Sequence, residues 1–426
     1  MVGLRLWLRR CTAAKAVPAL IAASVVLVAS RHGWERDWRW AVDWAASAVY
    51  LTGPALAGLV AFDRSRRVEP TVADLGRSAP RAVRGMLALV LASWVWSLVG
   101  WAAALLYVAI RVQQSDAVGQ PDPWSLVIPP AVLLACGAFG LVIGAVLPNL
   151  AAGPVAAVTC YVVALTPLMQ SLGLPAILTV DPSTGTRIGL ERDDLASLAQ
   201  VGMQLVVVLV AVLWIARSAA LVNRLRWAAS LALGAAMVIS LLGFGAVNTR
   251  IDPWRAADLP EECLGERVVV CGPSEAGSLL QGAHGSVEAA VHRLGTSGVD
   301  WQTRYVWAPT PDEVPADSGQ LSMQLEGMTG DNLSTDDIAY TLMTPRVCKA
   351  FFTAEGSAEL MGSQRLVLDW VLVELRWQGR VERASPEVVS AYQRLRSCEP
   401  VNGPAQEGRL EPGYARTTGR RPEALR

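Results

Sequence analysis

Charged residues are scarce in this chain. Asp, Glu, Lys and Arg make up 17% of its 426 residues, against about 25% in ordinary globular domains. Hydrophobic residues make up 52%, and the mean hydropathy is +0.34. This balance is typical of a chain whose solvent is partly lipid. The net charge is +0, so the overall charge gives no indication of a nucleic-acid partner.

Several catalytic and metal-binding motifs are also missing from the sequence. It contains no GxxxxGK[ST], no HExxH and no CxxC. The three histidines are His32, His284 and His292, and the last two are eight residues apart, which is not the spacing of a helical zinc pair. Ser274 follows Gly272-Pro273, but the segment is not GxSxG, and Ser274 is more simply a helix N-cap. We therefore expect no enzymatic activity and no cofactor.

Long apolar runs dominate the first 250 residues. A helix needs about 20 apolar residues to cross a bilayer core, and seven stretches meet or approach that length. They are 11–30, 41–62, 85–110, 124–147, 151–169, 196–216 and 227–248. The first stretch follows Arg9, Arg10 and Lys15 and ends in Val28-Ala29-Ser30, so a cleaved signal peptide is its alternative. Retention is favoured because cleavage sites prefer Ala at the last position.

The distribution of basic residues predicts the orientation of these spans. One set of segments holds thirteen: Arg5, Arg9, Arg10, Lys15, Arg64, Arg66, Arg67, Arg77, Arg81, Arg84, Arg217, Arg224 and Arg226. The alternate loops hold six: Arg31, Arg36, Arg39, Arg111, Arg187 and Arg192. We expect the protein in the plasma membrane. The positive-inside rule predicts that the first set, and with it the N-terminus, lies on the cytoplasmic side. Seven crossings then place residues 251–426 outside.

The cysteines agree with that placement. Cys263, Cys271, Cys348 and Cys398 all lie in the polar C-terminal third, and an even number fits two disulfides in an oxidising compartment. The favoured pairing is Cys263 with Cys271 and Cys348 with Cys398, one of three connectivities. Cys11, Cys136 and Cys160 lie in or beside apolar runs and are interpreted as small hydrophobic residues.

Residues 251–399 have the mixed periodicity of a small α+β domain. The strand-like segments are 267–271, 304–307 and 320–325, and the helical segments are 274–294, 334–342, 357–377 and 386–395. Ser334 is the predicted N-cap of the second helix. Leu368, Val371, Leu372 and Leu375 would share one face of the third. Residues 400–426 are rich in Gly, Pro, Arg and Glu and are predicted to be disordered.

Two features of the spans could carry function or only structure. Asp43 is a rare charge at the edge of a span, interpreted as an interfacial residue beside Trp34, Trp38, Trp40 and Trp44. These tryptophans fit an interfacial aromatic belt better than an aromatic ligand cage. Gly137, Gly140 and Gly144 have the spacing of a helix-packing motif, and chance in a Gly-rich chain is the equal alternative.

The layout of residues 1–250 resembles the permease subunits of bacterial ABC exporters whose ATPase is a separate chain. Three features carry the resemblance. The first is the basic amphipathic start Val2-Gly3-Leu4-Arg5-Leu6-Trp7-Leu8-Arg9-Arg10. The second is the second span, which runs from Leu51 into Asp63-Arg64-Ser65-Arg66-Arg67 and then Ala73-Asp74-Leu75-Gly76-Arg77-Ser78-Ala79-Pro80-Arg81. The third is the helical hairpin that follows. The chain departs from the usual pattern by its seventh span and its outer domain, which some actinobacterial permease-like proteins share.

The resemblance implies an export subunit that couples to a cytoplasmic ATPase. Its contact would be the loop 63–84, through Arg64, Arg66, Arg67, Arg77 and Arg81. The same arginines could serve the positive-inside topology alone. The partners expected are the lipid bilayer, a separate ABC ATPase and a second membrane subunit in a homo- or heterodimer. The alternative function is a non-transporting sensor or scaffold whose outer domain binds a ligand or protein.

Overall fold

The computed structural model describes residues 2–67, 79–147, 150–165, 185–218 and 254–308, and most of 314–398. The predicted seventh span (227–248), the end of the fifth, residues 68–78 of the arginine-rich loop with Arg77, most of the loop 217–226 and the tail 400–426 lie outside the described residues. The side chains of Arg67 and Arg81 lie outside them as well.

The N-terminal half is a bundle of apolar helices. Their bounds are α1 Val2–Arg10, α2 Thr12–Ala29, α3 Trp38–Ala46, α4 Val49–Arg67, α5 Ala79–Gln114, α6 Pro123–Val146, α7 Ala152–Leu165 and α8 Asp194–Ser218. Within the described residues, five stretches are long and apolar enough to cross a membrane: Thr12–Ala29, Trp38–Arg66, Arg84–Gln114, Pro123–Val146 and Asp194–Trp214. They coincide with five of the seven predicted spans, and the fifth predicted span appears as the shorter apolar helix α7.

The helices are longer than the predicted spans at several ends. α4 continues through Arg67 and α5 begins at Ala79, so Asp63, Arg64 and Arg66 lie on the last turns of a helix, where a loop was predicted. Asp63 is fully buried there. Its carboxylate accepts hydrogen bonds from the backbone N–H and the hydroxyl of Thr12, both at 2.5 Å. It thereby satisfies the start of α2, where the helix dipole favours a negative charge.

The glycine motif of the fourth span lies against α4. A Cβ atom on Gly144 would come within 2.6 Å of the Ala61 carbonyl oxygen, and one on Gly140 would overlap the Ala57 carbonyl. At Gly137 the nearest atom would be the Val90 Cγ1 atom of α5, at 3.3 Å. The backbones of α4 and α6 therefore approach as closely as small residues allow.

The C-terminal region combines a sheet with helices. Its elements are β2 Trp254–Ala256, β3 Glu261–Leu264, β4 Val269–Pro273, α9 Gly277–Leu294, β5 Arg304–Val306, β6 Gly319–Gln320, α10 Thr335–Met343, α11 Ala354–Arg376 and α12 Pro386–Ser397. The sheet order is β3-β4-β5-β6, with the first pair antiparallel and the other two parallel. Two disulfides join Cys263 to Cys271 across the β3–β4 pair and Cys348 to Cys398 at the end of α12.

Several local predictions in this region can be compared with the structure. The Ser334 hydroxyl accepts from the Asp337 N–H at 3.1 Å, which confirms the cap of α10. The predicted face of α11 packs into the core around the fully buried Val371. Ser274 as an N-cap was wrong: it lies in a 3₁₀ turn, its N–H donates to the Pro260 carbonyl, and α9 begins only at Gly277. The predicted strand 320–325 is wrong at 321–323, because β6 ends at Gln320 and these three residues are not part of a strand.

Candidate functional site

One end of the bundle carries a cluster of buried charges. We call it the docking end: α2 and α5 finish there, α3, α6 and α8 begin there, and the C-terminal region packs against it. The loop 185–193 also lies at this end. It contributes β1 (Leu190–Arg192), which pairs antiparallel with β2, so Arg192 lies opposite Trp254.

Asp37 joins the start of α3 to the loop 185–193. It is the N-cap of α3, and its Oδ1 accepts from the N–H groups of Arg39 and Trp40 at 2.9 and 3.1 Å. Its Oδ2 accepts from the Thr186 hydroxyl at 2.8 Å and the Arg187 N–H at 2.6 Å. The side chain is fully buried, and this burial raises the pKa of the Asp37 carboxyl above its ordinary value.

A second carboxylate, Asp43, holds an arginine in the same cluster. The Arg192 Nη2 lies 2.6 Å from the Asp43 Oδ1, and the two side chains are 3% and 0% exposed. The Arg192 Nε lies 3.4 Å from the Asp122 Oδ2. Asp122 is also the N-cap of α6, accepting from the Ser125 N–H at 2.7 Å. One guanidinium therefore connects α3 to the first turn of α6.

Trp254 covers these arginines from the C-terminal side. The Cζ atoms of Arg187 and Arg192 lie 4.3 and 4.5 Å from the centre of its ring, within the range of cation–π attraction. Arg187 also approaches Asp43, with 3.8 Å between its Nε and Oδ2. Trp254 is 6% exposed, so little water screens these contacts and the interaction is stronger than at a surface.

Glu275 ties the disulfide-bearing region to the bundle. Its Oε1 lies 2.5 Å from the Arg39 Nη1 and accepts from the Gly189 N–H at 2.6 Å. The Arg39 and Glu275 side chains are 16% and 12% exposed. Glu275 stands in the 3₁₀ turn just before α9, so this one carboxylate links that helix to α3 and to the loop 185–193.

Apolar contacts surround the charged cluster and continue across the contact between the bundle and the C-terminal region, which we call the junction. One hydrophobic core runs from the ends of α2, α3 and α5 into the C-terminal region, from Val28 and Trp40 to Val270 and Leu280. Trp34 and Trp40 are 0% and 1% exposed. Trp34 and Trp40 therefore belong to the core of the junction, and Trp38 and Trp44 pack against that core while partly buried. The interfacial belt stays a prediction. Asp43 is a buried ion-pair residue of the same cluster, and its depth at the membrane interface stays a prediction.

The junction is held by buried ion pairs, hydrogen bonds and apolar contacts. Its carboxylates accept from guanidinium groups, from backbone N–H groups and from the Thr186 hydroxyl. Elsewhere among the described residues, Glu261, Cys263 and Cys271 lie close enough to hold a metal ion. The two sulfurs are bonded to each other, so they offer no thiolate ligands.

The residues proposed from sequence lie apart from this junction. The glycine motif lies inside the bundle, and Arg64 and Arg66 lie at its opposite end, where the Arg66 Cζ is 4.8 Å from the Phe62 ring centre. Sequence reasoning missed Asp122, Arg187, Arg192 and Glu275 as members of the site. A usable signal was Asp43: a carboxylate within an apolar stretch is rare and calls for a cationic partner.

No family model matches this chain, and neither a curated protein nor a solved structure is significantly similar to it.

Proposed function

We propose that this chain is a permease-like membrane subunit of an ATP-driven export system, with a separate cytoplasmic ATPase and an outer domain fixed to the spans. The observation that carries the proposal is the buried junction of Asp37, Asp43, Arg192 and Glu275. A movement of α3 or α6 at the docking end would be transmitted to the C-terminal domain, because separating them would expose paired charges and apolar core together.

The proposed orientation has the docking end outside the cell. All six basic residues of the less basic set of loops lie at this end. They are Arg31, Arg36, Arg39, Arg111, Arg187 and Arg192. The opposite end carries Arg9, Arg10 and Arg66, as the positive-inside rule expects of a cytoplasmic face. The two disulfides lie on the docking side, and an oxidising compartment there would preserve them.

The first helix supports the likeness to exporter permeases. α1 is separate from α2 because the chain turns at Cys11, whose ψ of 149° is extended. The helix packs on α5, where the Trp96 indole N–H donates to the Leu8 carbonyl at 2.8 Å. Arg9 and Arg10 remain exposed. A short basic helix set off from the first span by a turn supports the elbow helix that the resemblance implies.

One observation favours the alternative, a sensor or scaffold that relays without transporting. α4 and α6 are in backbone contact through Gly140 and Gly144, which leaves no passage between these two helices. In that function the junction would carry a signal from the outer domain inward. A ligand or protein bound outside would then shift the spans.

Purification of the full chain in mild detergent distinguishes the two functions. A permease subunit should bring down a Walker-A ATPase near stoichiometry, identified by mass spectrometry. Arg66→Glu should reduce that recovery while membrane abundance stays unchanged, and Arg111→Glu at the docking end is the matched control. A well-folded sample that retains no ATPase would place the sensor or scaffold function ahead.

A further inference from the structure

An apolar groove of about 560 Å³ runs along α4 between α2 and α7. Its walls are small or apolar residues of three helices. They are Thr12, Ala16, Ala19, Leu20, Ala23, Leu51, Thr52, Ala55, Gly58, Leu59, Phe62, Gly153, Pro154 and Ala157. Val26 of α2 and Val158 of α7, on the flanking helices, are 68% and 63% exposed, as expected of surfaces that face hydrocarbon.

The length of the groove matches a single acyl chain. From Leu51 to Phe62 the lining of α4 extends about 16 Å at about 1.5 Å per residue, close to one leaflet of a hydrocarbon core about 30 Å thick.

Two basic side chains lie at one end of the groove. Arg66 follows Phe62 by one turn of α4, is exposed, and has its guanidinium over the Phe62 ring. Lys15 is exposed on α2, beside the groove residue Ala16. Asp63 is an acidic residue at this end among the residues that the structure describes, and it is fully buried and held by Thr12. The described side chains that this end presents to a ligand are therefore positive.

We propose that this groove binds an anionic glycerophospholipid of the leaflet next to the Arg66 end. One acyl chain fills the groove from Phe62 towards Leu51, and the phosphate lies between Lys15 and Arg66. The site requires a lipid but no ATPase. Lys15 is not part of the proposed ATPase contact, so its variant tests lipid binding separately from the export function.

The test is native mass spectrometry of the full chain in mild detergent, titrated with phosphatidylglycerol or phosphatidylcholine of the same acyl chains. We expect wild type to retain one phosphatidylglycerol more tightly than phosphatidylcholine. Lys15→Gln and Arg66→Gln should each weaken phosphatidylglycerol binding about fivefold, which is the effect of about 1 kcal/mol per basic residue near an anionic lipid. Arg84→Gln, an exposed arginine on α5 away from the groove lining, is the control and should change nothing.

Variants that fill the groove distinguish a site that binds an acyl chain from a surface that only attracts phosphate. Ala19→Leu with Ala55→Leu should abolish retention of both lipids, while glycerol phosphate should not displace phosphatidylglycerol from wild type. Ala23→Phe provides a second filled variant if the first pair unfolds. Unchanged lipid retention in a folded, filled variant would overturn the proposal. So would a disulfide from Ala19→Cys to a cysteine placed within 227–248 or in a second copy, because a helix would then occupy the groove.

Discussion

Arg192→Met is the most informative single substitution at the junction. The side chain of Met fills much of the same space but leaves Asp43 buried without its 2.6 Å partner. Removing one member of a buried ion pair costs about 3–5 kcal/mol. Because Arg187 remains 3.8 Å from the Asp43 carboxylate, we expect a loss near the lower limit, about 3 kcal/mol. At roughly 2–4 °C per kcal/mol, the midpoint of thermal unfolding should fall by about 6–12 °C.

Arg255→Met is the matched control for this substitution. Arg255 lies on β2, opposite Glu191 of β1, one residue from the position that faces Arg192. Its Nε is 2.9 Å from the Glu191 Oε1, but the two side chains are 56% and 43% exposed. Exposed pairs contribute at most about 1 kcal/mol, so this variant should differ little from wild type.

The assay is thermal unfolding in mild detergent, followed by intrinsic fluorescence. Tryptophans lie throughout the junction, so the signal reports on the region that changes. A fall for Arg192→Met no larger than that for Arg255→Met would refute the argument that the buried pair of Arg192 and Asp43 stabilises the junction. Adding Asp43→Asn to Arg192→Met should restore part of the loss, because the uncompensated buried charge is then removed.

Three further predictions concern single positions. Gly140→Leu should abolish close packing of α4 and α6 and sharply reduce the yield of folded protein, whereas Gly202→Leu, which has no neighbour within 4 Å of a Cβ, should fold in normal amounts by size-exclusion chromatography. Ser334→Ala should lower the free energy of unfolding by about 1 kcal/mol, as for other N-caps, in thermal scans compared with wild type. Burial raises the pKa of the Asp37 carboxyl, so its contribution to stability is fully present below the ordinary pKa and is lost as the pH rises through the folded pKa. Asp37→Asn should remove this contribution to the pH dependence of the melting temperature, measured between pH 3.5 and pH 8. An identical dependence on pH in the variant and wild type would contradict this.

The helical elements could be predicted from sequence because their signals are local. A run of apolar residues identifies a span wherever it lies, and Ser334 followed by Asp336 and Asp337 identifies a helix start within four residues. The face of α11 around Val371 was likewise visible in its spacing.

The junction could not be predicted in the same way because its partners are distant in sequence. Arg192 and Asp43 are 149 residues apart, and Glu275 and Arg39 are 236 apart. Arg187 and Arg192 were counted only as two basic residues of an outer loop. The Trp34 to Trp44 cluster has the composition of an interfacial belt, and only the C-terminal region packed over it makes it core. Ser274 failed as a cap because its backbone pairs with Pro260, a contact that a local motif does not encode.

The placement of the C-terminal domain outside the cell is the central claim, and single-cysteine labelling in intact cells tests it most directly. Met361→Cys on α11, where the native side chain is 55% exposed, and Arg5→Cys on α1 are two reporters. The native cysteines are buried or disulfide-bonded and should react little. A membrane-impermeant maleimide should label the Met361→Cys variant in intact cells and the Arg5→Cys variant only after permeabilisation. Labelling of Arg5→Cys in intact cells, with Met361→Cys protected until permeabilisation, would contradict the orientation and the outer-domain function that depends on it.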